Sequence, residues 1–350
     1  MPNRPAHSAA QSIAYLAARH DRFQGALLGL WLAPQAVALS RAAAGSGETA
    51  LQITNAMAES VALGCMHIRH YIARPLADLR AGFGDTFYQV GSHRPNLPCW
   101  LVSVPALLRY HDSWMRRYQW LASQSEALRI LAECSDVPFQ VATAEILLLG
   151  DLLEIVMCDR PPSLLERVDE LHERAHRISL SASSRAVLSP DIVPDQGLYY
   201  RDMWDDLFYR YRARYKAFST LAVRPVKFSP KAFESTLTGA VLTAFSYPES
   251  YAIAIQMTIQ TMMQSPMQQG ETALVAGLVA GALQGGASLP AAWQLHLLRP
   301  KSLAVIGSSR VDASGTEASD MKARLTRSDI VEIARQLYSQ WAGMKERTNG

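Results

Sequence analysis

Apolar residues recur at three- and four-residue spacing along most of the chain. This helical period is clear over Thr49 to Arg69, Ser123 to Cys134 and Pro138 to Val156, and again over Ser328 to Met344 near the end. No segment shows sustained alternation of apolar and polar residues, the pattern of a half-buried strand. The sequence therefore predicts an all-α protein whose helices pack around one large core.

Polar stretches rich in Ser, Pro or Gly divide this helical pattern. Such composition is typical of loops and linkers, because these residues favour turns and bury little apolar surface. We expect a flexible leader over 1–19 and a single large compact domain over 20–300, with a loop or insertion at 179–197. A linker over 301–327 and a C-terminal amphipathic helix over 328–350 complete the predicted organisation.

Composition and charge exclude several classes of partner. The chain has 350 residues, with 34 basic and 31 acidic side chains and a formal charge of +3, so no broad basic field predicts nucleic-acid binding. Two uncharged stretches, Phe23 to Ser40 and Ser250 to Gly270, contain Gln or Pro and are interpreted as buried helices, not membrane spans. We expect no membrane partner.

Cysteine usage and the N-terminal sequence bear on location. Four cysteines lie far apart without a CxxC pair, which favours buried thiols in a reducing compartment over a disulfide framework. The polar N-terminus lacks the apolar run of a secretory signal. A cytoplasmic location is the expectation.

One short motif has the spacing of a zinc site. His172-Glu-Arg-Ala-His176 is an HExxH pattern, which on a helix places both imidazoles on one face, with the glutamate as a possible base. Glu234 lies within sequence reach as a third ligand. However, the surrounding helix is charged nearly all round, so a zinc metallopeptidase is a remote alternative.

Aromatic and arginine residues are concentrated between Tyr199 and Phe218. Such a segment forms either an amphipathic helix with its rings in the core or a partner surface, since Tyr, Trp and Arg are enriched at interfaces. Trp204, Tyr209 and Tyr211 are the candidate contacts with a protein partner.

Four segments, taken in order, resemble the ADP-ribosylglycohydrolase family. They are RFQGALLGL at Arg22 to Leu30, TNAMAESV at Thr54 to Val61, VPALL at Val104 to Leu108, and GAVLTAFSYPESYAIAI at Gly239 to Ile255 with AGLVAGALQG at Ala276 to Gly285. The resemblance implies a compact orthogonal helical fold. It also implies two magnesium or manganese ions that assist cleavage of ADP-ribose from modified side chains.

The positions that match the family's metal ligands lack the aspartates. The family's DxDT falls on Gln268, Gln269, Gly270 and Glu271, with Thr272 one place out of register, and its TDDT begins on Glu48 and Thr49. Two divalent ions carry a charge of +4 and require several carboxylates. No metal cofactor is therefore expected.

These losses favour one functional hypothesis over another. The first is a non-catalytic homologue, like the J-crystallins of this superfamily, that acts as a binding, regulatory or structural protein. Glu48, Thr49, Gln268, Gln269, Gly270, Glu271 and Thr272 are then the remnant of the cleft, and residual binding of ADP-ribose or another nucleotide is left open. The alternative is a divergent hydrolase of ADP-ribosyl N-glycosidic bonds, in which Glu48 and Glu271 hold one metal or act as acid and base. Both glutamates could also be simple helix caps.

Overall fold

The described part of the chain is helical. The computed structural model describes residues 18–33, 36, 99–134, 137–157, 164–180, 196–219, 236–261, 266–291, 293–294 and 327–349. Within these ranges the backbone forms α-helices joined by short turns, with a short 3-10 helix at Gly286–Ser288 and no β-strand. The all-α prediction is confirmed for these residues.

The helices are numbered in chain order. They are α1 (18–33), α2 (Cys99–Arg109), α3 (Trp114–Ser123), α4 (Ser125–Cys134), α5 (Phe139–Met157), α6 (Leu164–Leu180), α7 (Gln196–Ser219), α8 (Thr236–Ser246), α9 (Tyr251–Thr261), α10 (Pro266–Gln284) and α11 (Arg327–Asn349). None of the helices in this part of the chain has both the length and the apolarity needed to cross a membrane.

Helix α5 lies at the centre of the core. Its sequence is apolar on nearly every side, and such a helix must be buried all round. It packs against α2, α3, α4, α6, α7 and α10. Leu148, Leu149, Leu152 and Leu153 are all fully buried. One polar residue in this apolar run, Asp151, is also buried, and its partners are described below.

Helices α1 and α10 touch backbone to backbone. A Cβ atom built on Gly25 would lie 2.1 Å from the carbonyl oxygen of Gly281, and one on Gly29 would lie 2.1 Å from that of Gly277. The reverse contacts are as close, at 2.0 Å for Gly281 and 2.4 Å for Gly277. No side chain larger than hydrogen fits at these four positions, which we call the glycine seam.

Tyr251 of α9 forms hydrogen bonds with both helices of the glycine seam. Tyr251 is 1% exposed, and its hydroxyl donates to the Gly29 carbonyl oxygen at 2.6 Å. Its backbone N–H donates to Oε1 of Gln284 at 2.9 Å, at the end of α10. One residue therefore binds both helices of the seam.

The C-terminal helix α11 docks on the same core. Trp341 is buried, with its ring centroid 5.3 Å from that of His111 and 6.1 Å from that of Phe23. Its indole N–H donates to Oδ2 of Asp112 at 3.2 Å. Ile330, Ile333 and Leu337 bury the same face of α11, so the helix is part of the core.

His111 lies fully buried beneath Trp341. Burial lowers its pKa from 6.5 to about 4, against the opposing effect of the Asp112 carboxylate. The Nδ1 atom lies 2.7 Å from the Leu108 carbonyl oxygen, and Nε2 lies 3.2 Å from Nη1 of Arg19. A neutral imidazole with its proton on Nδ1 satisfies both contacts.

Adding one methyl group to the glycine seam should destabilise the protein. In Gly281→Ala the Cβ would overlap the Gly25 carbonyl oxygen, so the helices must separate, and we expect a loss of about 3 kcal/mol in unfolding free energy, measured by urea denaturation. Gly343→Ala in α11 is the control, since nothing lies within 4 Å of its added Cβ. Because alanine favours the helix more than glycine does, Gly343→Ala should raise the unfolding free energy by up to about 1 kcal/mol. Equal effects at both positions would contradict the close contact.

The stability of the protein should decrease as the pH is lowered, because His111 is buried in its neutral form. Because the folded-state pKa of about 4 lies below the 6.5 of the unfolded chain, unfolding takes up a proton between these values. The contribution of neutral His111 to the unfolding free energy is complete above pH 6.5 and is lost as the pH falls towards 4. Between pH 7 and pH 5 we expect a loss of about 2 kcal/mol that His111→Gln lacks, measured by urea denaturation at both pH values. Parallel pH profiles of the two proteins would disprove this assignment.

Candidate functional site

The residues predicted from the family resemblance lie at the start of α10. Gln268, Gln269, Gly270 and Glu271 occupy its first turns, and the first turn contains no acidic residue. Thr272 is fully buried. Glu48 and Thr49, the other part of the predicted cleft, lie outside the described residues.

The predicted aromatic partner surface is wrong for two of its three residues. Trp204 is fully buried, and its indole N–H points to Oδ2 of Asp151 at 3.3 Å. Tyr211 is also buried, with its ring edge against Phe245 at a centroid distance of 5.9 Å. Tyr209, by contrast, is 65% exposed. The alternative interpretation, rings in the core, holds for Trp204 and Tyr211 because α7 packs against α5, α6 and α8.

The two histidines of the HExxH pattern meet a third residue from the next described helix. His172 and His176 lie one turn apart on α6 and face Asp205 of α7. Nε2 of His172 lies 2.6 Å from Oδ1 of Asp205, and Nε2 of His176 lies 2.8 Å from the same oxygen. The two Nε2 atoms are 3.2 Å apart. We call these three residues the histidine cluster.

Asp205 was missed by the sequence reasoning. It lies 33 residues beyond His172 in the segment interpreted for its aromatic and arginine residues, and no local pattern links it to the histidines. Glu234, the third ligand suggested by the sequence, lies outside the described residues. Although partial burial acts to raise the pKa of Asp205, the hydrogen bonds from the two imidazoles lower it below its ordinary value. The carboxylate is therefore ionised at neutral pH.

The middle residues of the HExxH pattern point away from the histidine cluster. The Glu173 side chain is 74% exposed, and it forms an ion pair with Arg177 at 3.7 Å. Arg174 turns inward, where its guanidinium donates to Oδ1 of Asp151 at 2.6 Å and to Oε1 of Glu154 at 2.9 Å. The glutamate of a zinc peptidase would face the metal, so this geometry does not favour peptidase chemistry.

Arg174 belongs to a buried ionic network that sequence patterns did not reveal. Arg117 of α3 is 1% exposed and donates to Asp151 at 2.7 Å and to Glu154 at 2.8 Å. The Tyr200 hydroxyl donates to the second oxygen of Asp151. The two arginines and two carboxylates balance in charge, as a buried cluster requires. The network connects α3, α5, α6 and α7.

The network shifts the pKa values of its members. Burial acts to raise the pKa of Glu154, but the hydrogen bonds from Arg174 and the charge of Arg117 hold it below its ordinary value. Burial and the neighbouring Asp151 carboxylate raise the pKa of Tyr200 well above its ordinary value. Glu154 therefore stays ionised and Tyr200 stays protonated as a donor at neutral pH. The network acts as a structural element, since its two carboxylates are already bonded to Arg117, Arg174 and Tyr200.

A small cavity lies beside this network. It has a volume of about 140 Å³ and is lined by residues including Arg19, His111, Glu154 and Arg167. Sites for nucleotides and drug-sized ligands are larger, about 300 to 1,000 Å³. The cavity is therefore too small for ADP-ribose.

Removing the central carboxylate should destabilise the fold strongly. Asp151→Asn removes one of the two carboxylates that pair with Arg117 and Arg174, so that Glu154 alone faces both arginines, and we expect a loss of about 3 to 5 kcal/mol in unfolding free energy by urea denaturation. Glu170→Gln on α6 is the control, because its ion pair with Arg167 is largely solvent-exposed. It should cost less than about 1 kcal/mol. Similar losses in both variants would contradict a central role for Asp151.

Family models, curated proteins and solved structures were all searched, and none matches the chain.

Proposed function

We propose that this chain is a non-catalytic homologue of the ADP-ribosylglycohydrolases that acts as a binding, regulatory or structural protein. The observation that carries the proposal is the composition of the first turns of α10. The resemblance matches these turns to the metal-binding DxDT of the family, and here they contain Gln268, Gln269 and Gly270.

These residues do not fit two hard divalent cations. Magnesium binds through carboxylates and phosphate oxygens and keeps much of its water shell, so a two-metal site requires several negatively charged ligands. The amides of Gln268 and Gln269 offer neutral oxygens, and Gly270 offers no side chain. Among the matched positions, Glu48 and Glu271 alone are acidic. Cleavage through an oxocarbenium-like state would therefore lack its charge stabilisation and its positioned water.

The packing of α1 on α10 supports the family resemblance. The segments RFQGALLGL and AGLVAGALQG lie far apart in sequence, yet their glycines form the glycine seam. Each of the four seam glycines belongs to one of these two segments. A shared fold would explain why glycine occurs at these positions, since any Cβ there would clash with the facing backbone.

The proposal predicts that magnesium neither binds nor activates the protein. Metal-free protein is titrated calorimetrically with ADP-ribose and then with magnesium, and ADP-ribosyl-arginine is incubated with protein and magnesium. We expect no magnesium-dependent heat and no release of ADP-ribose above the rate without protein. Magnesium is the diagnostic ion because, unlike manganese, it binds imidazole poorly and so does not report on the histidine cluster.

Turnover would overturn the proposal, and one variant would identify its origin. If magnesium-dependent release of ADP-ribose were observed and Glu271→Gln abolished it, the chain would be a divergent hydrolase that uses Glu271. Glu173→Gln is the matched control, since it removes an equivalent charge from the exposed face of α6. Heat from ADP-ribose alone, without turnover, is the result expected of a binding protein that retains the cleft.

A further inference from the structure

The histidine cluster has the ligand types and spacing of a transition-metal site. Its nitrogen, nitrogen and oxygen atoms come from His172, His176 and Asp205, and all lie within 3.2 Å of one another. Two imidazoles approach the same carboxylate oxygen, although a carboxylate offers two. The two Nε2 atoms also lie only 3.2 Å apart, so all three atoms are close enough to bind one ion, as a metal site requires.

The three distances are compatible with one ion bound to all three atoms. For contacts of 2.6, 2.8 and 3.2 Å, a point about 1.2 Å out of the plane of the three atoms lies about 2.05 Å from each. Zinc bonds to histidine nitrogen and carboxylate oxygen have this length. All three ligands then lie on one side of the ion.

Packing holds the His172 imidazole and helix α6 in this arrangement. The His172 ring stacks on Phe208 with an interplanar angle of 4° and a centroid distance of 3.9 Å. Arg174, between the two histidines, anchors α6 through its bonds to Asp151 and Glu154.

The histidine cluster is also accessible and suitably charged. His172 is 14% exposed, His176 is 35% exposed and Asp205 is 31% exposed, so an ion can enter from solvent. The Asp205 carboxylate supplies an oxygen ligand, and the imidazoles supply the nitrogen ligands that favour zinc over magnesium.

We propose that His172, His176 and Asp205 bind one zinc ion that joins α6 to α7. The ion has three protein ligands and an open fourth position. Glu173 takes no part, because it is exposed and paired with Arg177. The site therefore differs from the peptidase arrangement that the HExxH spacing suggests, and it is independent of the α10 residues on which the proposed function rests.

The test is zinc binding to the full-length protein. Metal-free protein is titrated with zinc in competition with a chromophoric chelator, and one ion should bind per chain. Loss of even an outer partner costs about ten- to a hundredfold in metal affinity. We therefore expect His172→Gln, His176→Gln and Asp205→Asn each to weaken zinc binding by about a hundredfold or more.

Two control variants separate this site from the alternatives. Glu173→Gln should leave zinc affinity unchanged, since its side chain points to solvent. The double change His67→Gln with His70→Gln should also leave it unchanged, and this tests the other closely spaced histidine pair in the sequence. Absence of zinc binding, or binding that the three cluster variants do not weaken, would overturn the proposal.

A second measurement guards against a loss of binding through misfolding. The circular dichroism and thermal unfolding of each metal-free variant are compared with those of the metal-free wild type. Asp205→Asn keeps an acceptor oxygen for the imidazoles, so it is the variant best suited to retain the fold. Zinc at about a hundredfold excess over Kd should raise the Tm of the wild type by several degrees and that of Asp205→Asn far less. Equal shifts in both proteins would also overturn the proposal.

Discussion

The burial of Asp151 is the constraint on which the arrangement of the central helices depends. A carboxylate inside an apolar helix is stable only when charged and hydrogen-bonding partners surround it. Arg117, Arg174, Tyr200 and Trp204 supply these partners from α3, α6 and α7. Because Arg174 must reach this carboxylate, the rotation of α6 about its axis is fixed. That rotation directs His172 and His176 towards α7 and leaves Glu173 in solvent.

The glycine seam imposes a second, steric constraint. Helices that carry only hydrogen atoms at their contact approach until their backbones touch, and the close approach compensates for the conformational entropy of glycine. Tyr251 then joins both helices through its hydroxyl and its backbone N–H. The start of α10, where the resemblance places the family's metal ligands, is thus carried on a rigidly packed helix.

The two candidate sites differ in the metal chemistry that they permit. The first turns of α10 contain amides and glycine, which suit neither the charge nor the ligand number of two magnesium ions. The histidine cluster contains two imidazoles and a carboxylate, which suit zinc. The two proposals are physically independent, since one concerns hard cations and ADP-ribose and the other a borderline cation between α6 and α7. Each can fail without the other.

The sequence by itself determined the helical class, because apolar spacing reports the period of the backbone directly. It also determined that His172 and His176 share a face, since residues four apart on a helix are neighbours. The periodicity could not show which aromatic rings of α7 are buried, because α7 packs on three other helices. Only this packing decides that Trp204 and Tyr211 are buried and that Tyr209 is exposed. Likewise Asp205 joins the histidines, and Arg117 joins Asp151, only through packing between helices. The tertiary structure decided these pairs because contacts between helices depend on their mutual rotation, which no local spacing encodes.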